Sequence, residues 1–387
     1  MNGLPHRQLT LSGRITIPET PAKPPALPAQ TIRILALDGG GIRGILSARA
    51  LQEIEQRTQK PAAELFHLIA GTSIGGITAC GLLSGKSAKA LGDLYAAKGG
   101  DIFSQSLWRT VTTLDNLAGP KYAPAALETV LKAALGDTWL SQTRGAELLV
   151  TSYCIRLPKP APLDGGAVQT TRTPYLFKTW KARGTFLDPG DEPPALDFRL
   201  REIARATSAA PTYFPPAMIT NRRGETYAMV DGGVFANNPA MCALASARRL
   251  YGDFAPRFLL VSLGTGSLER SIDGDAALTW GEMSWLHPIL NILMDGNADT
   301  VGYEADQELG NDHMRFDIST GTNPHDEATV NEDFDSATPD NIARIERLAQ
   351  RLIERSQEKL DRVCATLTEP KWTPPPALEQ RLGTLTS

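Results

Sequence analysis

Thr31-Ile32-Arg33-Ile34-Leu35-Ala36-Leu37 runs straight into Asp38-Gly39-Gly40-Gly41-Ile42-Arg43-Gly44. The first half alternates and then turns wholly apolar, the pattern of a buried strand reaching its carboxyl end. The second half is a glycine turn that opens a helix. From Gly44 onward Leu46, Ala50, Leu51 and Ile54 recur at helical spacing until Lys60-Pro61 closes the run. The pattern then repeats. Leu65 to Ala70 (LFHLIA) predicts a second short strand, Gly71-Thr72-Ser73-Ile74-Gly75 a second turn, and Ile74 to Leu83 a helix of small residues. Strand, turn, helix, strand, turn, helix is an α/β arrangement with a mostly parallel sheet. Right-handed crossovers bring both turns to one sheet edge, where ligands bind beyond the carboxyl ends of the strands. Further strands are expected at Glu147–Tyr153, Tyr175–Thr179, Tyr227–Val230 and Arg257–Leu263.

The chain has 387 residues, of which 42% are hydrophobic, enough for a large core. A net charge of −4 without a dense Lys/Arg run speaks against a nucleic-acid polymer as partner. Cys80, Cys154, Cys242 and Cys364 lie far apart and read as free thiols in a reducing compartment. Residues 1–30 read as a flexible leader, Pro/Ala-rich from Ile17 to Gln30, with no secretory h-region. No apolar run reaches the roughly eighteen residues of a spanning helix. The expectation is a cytoplasmic protein whose membrane contact, if any, is peripheral, at the inner membrane.

Residues 31–325 are expected to form the catalytic domain, and 326–387 a polar loop followed by an amphipathic capping helix. That helix is placed at Asn341 to Val363, with Ile342, Ile345, Leu348, Leu352, Leu360 and Val363 near one face. A partner or dimer helix is its other reading, and oligomeric state stays open. Gly184 to Asp197 reads as a surface loop, and Asp312 to Thr338 as polar, irregular and exposed.

The second turn fits Gly-x-Ser-x-Gly, the elbow that lifts a serine hydroxyl clear of its backbone, and makes Ser73 the candidate nucleophile. The first turn offers the N–H groups of Gly40 and Gly41, with Gly39, at a helix N-terminus that favours an oxyanion. Gly39-x-Gly41-x-x-Gly44 also fits a dinucleotide fingerprint. The next strand, however, ends in Gly71-Thr72-Ser73 without the carboxylate that would hold a ribose, which argues against a nucleotide cofactor. Arg43 reads either as an aid to a substrate phosphate or as support for the loop.

A serine needs a base. Asp231 follows the strand-like Tyr227-Ala228-Met229-Val230, precedes Gly232-Gly233, and is well placed to point into the site. Among the five histidines, His6 falls in the leader and His67 on the elbow strand. His287, His313 and His325 follow Asp231, so a Ser, Asp, His order stays open, although none has a strand-end or glycine-rich context.

Three motifs in this order, with Ala206 to Pro216 (ATSAAPTYFPP) between elbow and aspartate, resemble the patatin family of lipid acyl hydrolases from about Ile32 to Thr265. The resemblance implies a three-layer α/β/α fold like the catalytic domain of cytosolic phospholipase A2. It implies a Ser73–Asp231 dyad without histidine, an oxyanion hole at Gly39, Gly40 and Gly41, and no metal or other cofactor. It also implies a phospholipid or other acyl-ester lipid as substrate. Some cytoplasmic bacterial relatives are antiviral effectors switched on by cyclic nucleotides, so a small-nucleotide activator is carried as an alternative, beside a histidine-dependent esterase on soluble esters. Leu278 to Met294 (LTWGEMSWLHPILNILM) reads as core, lid, acyl groove or headgroup contact. Ile102-Phe103 and Leu107-Trp108 are placed near the pocket mouth.

Overall fold

Every residue of β1 (Thr31–Leu37) is buried, and its alternation assigns side chains to two different layers. Ile32, Ile34 and Ala36 join one apolar cluster, while Leu35 and Leu37 join the other. A strand buried on both faces belongs inside a sheet covered by helices on both sides. The computed structural model describes residues 31–102, 120–158, 172–252, 257–267, 272–321, 323 and 325–372. The 1–30 leader with His6, as well as Phe103, Leu107 and Trp108, lie outside the described residues.

The remaining strands are β2 (Leu68–Gly71), β3 (Glu147–Arg156), β4 (Thr173–Lys178), β5 (Ala217–Thr220), β6 (Thr226–Asp231), β7 (Arg257–Leu263) and β8 (His313–Phe316). They form one sheet in the order β5-β6-β3-β2-β1-β7-β8, with β4 also on β3. β3, β2, β1, β7 and β8 run parallel, and β3 pairs antiparallel with both β4 and β6.

The helices are α1 (Gly44–Thr58), α2 (Ala62–Leu65), α3 (Ile74–Leu83), α4 (Ala88–Ile102), α5 (Ala125–Leu135), α6 (Thr179–Ala182), α7 (Leu200–Thr207), α8 (Gly233–Ala236), α9 (Ala240–Tyr251), α10 (Gly274–Ala277), α11 (Glu282–Leu309), α12 (Pro339–Arg355) and α13 (Gln357–Thr368). Residues of α1, α3, α4, α5, α7, α12 and α13 fill the cluster on one face of the sheet. α9, Trp180 of α6, and Val301 and Ala305 of α11 cover the other. The result is the expected three-layer α/β/α architecture.

Three local expectations need correction. The second strand starts at Leu68 rather than Leu65, because Pro61 opens the single turn α2 and the His67 N–H then pairs with the Arg33 carbonyl. The segment from Asp312 to Thr338 is not simply exposed. Its His313–Phe316 stretch extends the sheet beside β7, Ala328 and Val330 enter the core, and Phe334 backs the glycine turn. Its apolar residues come singly between polar ones, so no periodicity marks them. The C-terminal amphipathic stretch is two helices, broken at Ser356 between Arg355 and Gln357. Thr338 Oγ1 accepts the Asn341 N–H and starts α12, and both helices pack on α1. Among the described residues, no helix is long and apolar enough to cross a membrane.

Candidate active site

Sheet register brings the two chemical motifs together. β3 carries β4 along one edge from Leu149 to Cys154. Its other edge holds β2 up to the Gly71–Val150 pair and then β6 from the Asp231–Ser152 pair onward. β2 and β6 approach along this edge from opposite directions, so the turns after Gly71 and Asp231 meet. Ser73 Oγ donates to Asp231 Oδ2 at 2.7 Å.

Ser73 has φ 54° and ψ −123°, a left-handed backbone that a residue with a side chain adopts only under constraint. The constraint is visible. The Ser73 N–H donates to Thr207 Oγ1 at 2.8 Å, and the Ile77 N–H to the Ser73 carbonyl at 2.9 Å. A Cβ at Gly75 would stand 2.2 Å from the Leu37 carbonyl oxygen, so only glycine lets α3 start this close to the end of β1. The hydroxyl thus sits at the N-terminus of a buried helix, on the pocket wall.

Asp231 is fully buried, and its Oδ1 accepts the Gly233 N–H at 2.7 Å. Loss of water pushes its carboxyl up to about 7, against the smaller opposing effects of Gly233 and Ser73. A carboxylate poised there can take a proton near neutrality. His67 lies at the far end of β2, where Nδ1 accepts the Arg33 N–H and burial lowers its pKa to about 3. His313 bonds Asp306, and His325 is exposed. None of these three lines the pocket that holds Ser73, and the His287 side chain lies outside the described residues.

The glycine turn lies directly beside this pair. Gly41 has φ 57°, and a Cβ there would stand 2.1 Å from the Phe334 carbonyl, which accepts the Ile42 N–H. The N–H groups of Gly40 and Gly41 have no acceptor among the described residues. Gly39 differs from expectation as a donor, because its N–H is committed to the Asn237 carbonyl at 3.0 Å. Thr265 Oγ1 holds the Gly39 carbonyl at 2.7 Å.

Below the turn, Arg315 bonds both Asp38 and Asp317 at 2.7 Å. Burial raises the Asp38 carboxyl to about 6 even with the Arg315 charge beside it. Arg43 is buried as well. It donates to the Gly266 carbonyl at 3.2 Å and stacks its guanidinium 5.1 Å from the centre of the Phe334 ring, the contacts of a loop support. Sequence reading missed Thr207, Thr265, Arg315 and Phe334. Only Thr207 fell in a quoted motif, the ATSAAPTYFPP block.

Behind Ser73 and Asp231 opens an apolar cavity walled by Ile77, Leu91, Tyr95, Leu127, Leu131 and Phe214. Ile102 of α4 and Leu290 and Met294 of α11 complete its lining. Among the described residues no cluster of three His, Cys, Asp or Glu is arranged to hold a metal ion. The four cysteines are free.

Residues 35–244 match the family model of patatin-like phospholipases. The chain is 29% identical over 377 residues to Patatin-like protein 1 of Arabidopsis thaliana, covering 87% of this chain and 84% of that protein. Patatin-like protein 3 of the same plant is 30% identical over 324 residues, covering 71% and 70% respectively. Human GIVD cytosolic phospholipase A2 aligns with a TM-score of 0.42 at 12% identity, over 88% of this chain and 61% of that one. With a single family model spanning both catalytic-type turns and the aspartate, the chain belongs to the patatin-like phospholipase family.

Proposed function

We propose that this protein is a phospholipase A-type lipid acyl hydrolase working through a Ser73–Asp231 dyad. The observation that carries the reading is the 2.7 Å bond from Ser73 Oγ to Asp231 Oδ2 at the wall of an apolar cavity. The fatty-acyl chain of a membrane phospholipid occupies the cavity, and its ester carbonyl lies over Ser73. Ser73 Oγ bonds to the carbonyl carbon while its proton passes to Asp231. The N–H groups of Gly40 and Gly41 take the oxyanion, helped by the helix dipole behind them. Collapse expels the lysolipid alcohol, which carries the proton away. Water, deprotonated by the same carboxylate, then releases the fatty acid.

The exposed side of α11 and the turn leading into it support contact with a lipid surface. Leu278 is 85% exposed, Leu293 51% and Ile289 45%, while Leu290 and Met294 of the same stretch line the cavity. Trp280 and Trp285 pack edge-to-face beside them, 5.1 Å between ring centres, a pairing suited to a membrane interface. An apolar ridge that continues into the cavity gives an acyl chain a path out of the bilayer without crossing water.

The test is fatty-acid release from mixed phospholipid vesicles by wild type and Ser73→Ala, with fluorophosphonate labelling of both. Release and labelling by wild type alone support the reading. Equal release by Ser73→Ala would overturn it.

A further inference from the structure

The apolar cavity has a direction, and α3 measures it. Ser73 stands at the start of α3, and Ile74 and Ile77 of its first turn line the cavity. A helix face continues through positions three and four apart, so Thr78 and Gly81 follow on the same side. α4 runs the opposite way beside them. Thr78 Oγ1 and the Tyr95 hydroxyl share a hydrogen bond at 2.8 Å, and four residues earlier in the chain Leu91 lies over Gly81. A Cβ at Gly81 would stand 2.5 Å from Leu91 Cδ2, so the missing side chain is what seats Leu91 there. Tyr95 and Leu91 both line the cavity. α5 agrees with this direction. Just before it, the Tyr122 N–H donates to the carbonyl of Tyr213, whose ring meets Phe334 beside the glycine turn. Just after it, the Thr138 carbonyl accepts the Leu200 N–H at the start of α7, the helix whose other end reaches Ser73 through Thr207. The last turn of α5, with Ala134 and Leu135 on the cavity wall, therefore lies with Leu91 at the end remote from the nucleophile.

We propose that Leu91, seated on Gly81, is the floor of the acyl subsite and sets the preferred chain length near about ten carbons. This rests on the acyl-hydrolase reading above. The eight residues from Ser73 to Gly81 rise by about 12 Å along α3. That depth holds about nine or ten carbons of an extended chain, whose zigzag bonds of about 1.5 Å each advance it by roughly 1.3 Å. Within the cavity every added methylene leaves water for an aliphatic wall and raises kcat/KM by about threefold to fourfold. A longer chain meets Leu91 and Leu135, both buried, so its excess carbons fold back or stay outside and gain nothing.

The test compares saturated p-nitrophenyl esters with chains of about four to about sixteen carbons, dispersed in detergent micelles, in wild type, Leu91→Ala, Leu91→Phe and Ala134→Leu. Each kcat/KM is divided by the same enzyme's value for the shortest ester, so a general loss of folded enzyme cancels. The expected wild-type optimum lies at about ten carbons. It moves about two carbons longer in Leu91→Ala and about two shorter in Leu91→Phe, roughly the depth of the side-chain atoms removed or added. Ala134→Leu narrows the same end from α5 and leaves the seat on Gly81 intact. It is expected to shorten the optimum too, and it keeps the test decisive where a Leu91 variant does not fold. An optimum that stays in place in the folded variants would overturn the proposal. So would a wild-type rate that climbs steadily to the longest ester. Ser73→Ala on the same esters separates the two levels. If that variant is active the acyl-enzyme reading fails, whereas a silent Ser73→Ala beside an unmoved optimum sinks this inference alone.

Discussion

Gly71 at the end of β2 and Asp231 at the end of β6 meet head-on along one edge of β3, paired with Val150 and Ser152 respectively. β4 occupies the opposite edge, so β6 pairs only beyond the point where β2 stops. The strand bearing the carboxylate thus ends where the strand leading to the serine ends, and residues 158 positions apart share a hydrogen bond.

Asp231 sets the pH dependence of the proposed reaction. Its carboxyl is raised to about 7 by burial, and it acts as a base only when ionised. kcat/KM is expected to climb tenfold per pH step below about 7 and to level off above it. A pH–rate profile from acid to mildly alkaline conditions checks this, and a plateau already reached near pH 5 would contradict it. Asp231→Asn is expected to lose turnover by several orders of magnitude.

The same carboxyl makes a prediction about stability with the opposite slope. Its folded pKa of about 7 lies above the ordinary value of 3.8, so the folded state holds a proton that the unfolded state releases. Its stability contribution is complete below about pH 4 and is lost as pH rises through about 7. Asp231→Asn removes this cost. The variant should melt at a higher temperature than wild type at pH 8, by at most about 4 kcal/mol of stability, with the difference vanishing near pH 4. Thermal melts at the two pH values provide the comparison.

Gly41→Ala tests the glycine turn without touching the dyad. An added methyl would meet the Phe334 carbonyl at 2.1 Å on a backbone with φ 57°, so the turn must shift and its N–H groups with it. Turnover is expected to fall about 100-fold or more with KM little changed. Steady-state kinetics on a soluble ester would reveal the opposite pattern if the turn only bound substrate.

Arg315→Leu should act at a distance through the floor of the turn. It leaves Asp38 buried with no charge partner, and breaking a buried pair from one side costs about 3–5 kcal/mol. Urea unfolding measures the loss. Adding Asp38→Asn to the same chain is expected to restore much of it; no recovery would mean that Arg315 acts elsewhere.

Ile289→Ser combined with Leu293→Ser tests the exposed ridge of α11. Both side chains are about half exposed, so folding should change little. Hydrolysis of vesicle phospholipid should fall about tenfold or more, on the scale of the apolar area withdrawn from the bilayer, while a soluble short-chain ester is turned over as before. Parallel losses on both substrates would place the effect inside the cavity instead.

The strands Thr31–Leu37 and Arg257–Leu263 and the helix Ile74–Leu83 were legible residue for residue, because each is a mostly apolar run stopped by Asp38, Gly264 or Ser84-Gly85. Ser73 was legible as a candidate because Gly71 and Gly75 mark a turn on both sides of it, and Asp231 because an apolar strand runs through it into two glycines. Arg315, Thr265 and Phe334 were not. Each lies in a stretch with no period of its own and acquires its place from a partner distant in the chain: Asp38, the Gly39 carbonyl and the Gly41–Ile42 turn. Gly39 was legible as part of the loop but not as a donor already spent, because its acceptor lies on the Asn237 main chain.

Local chemistry, carried by periodicity and turn residues, was enough to determine an α/β fold, two glycine turns at strand ends, and a serine and an aspartate as candidates. Tertiary structure alone decided that β6 follows β2 along a single edge of β3, which turns those candidates into a bonded pair. It alone buried Asp231 and so raised its pKa, and it spent the Gly39 N–H on the Asn237 main-chain carbonyl. The reason is physical: burial and hydrogen-bond partnership belong to the packed environment of a group, and residues far apart in the chain supply that environment.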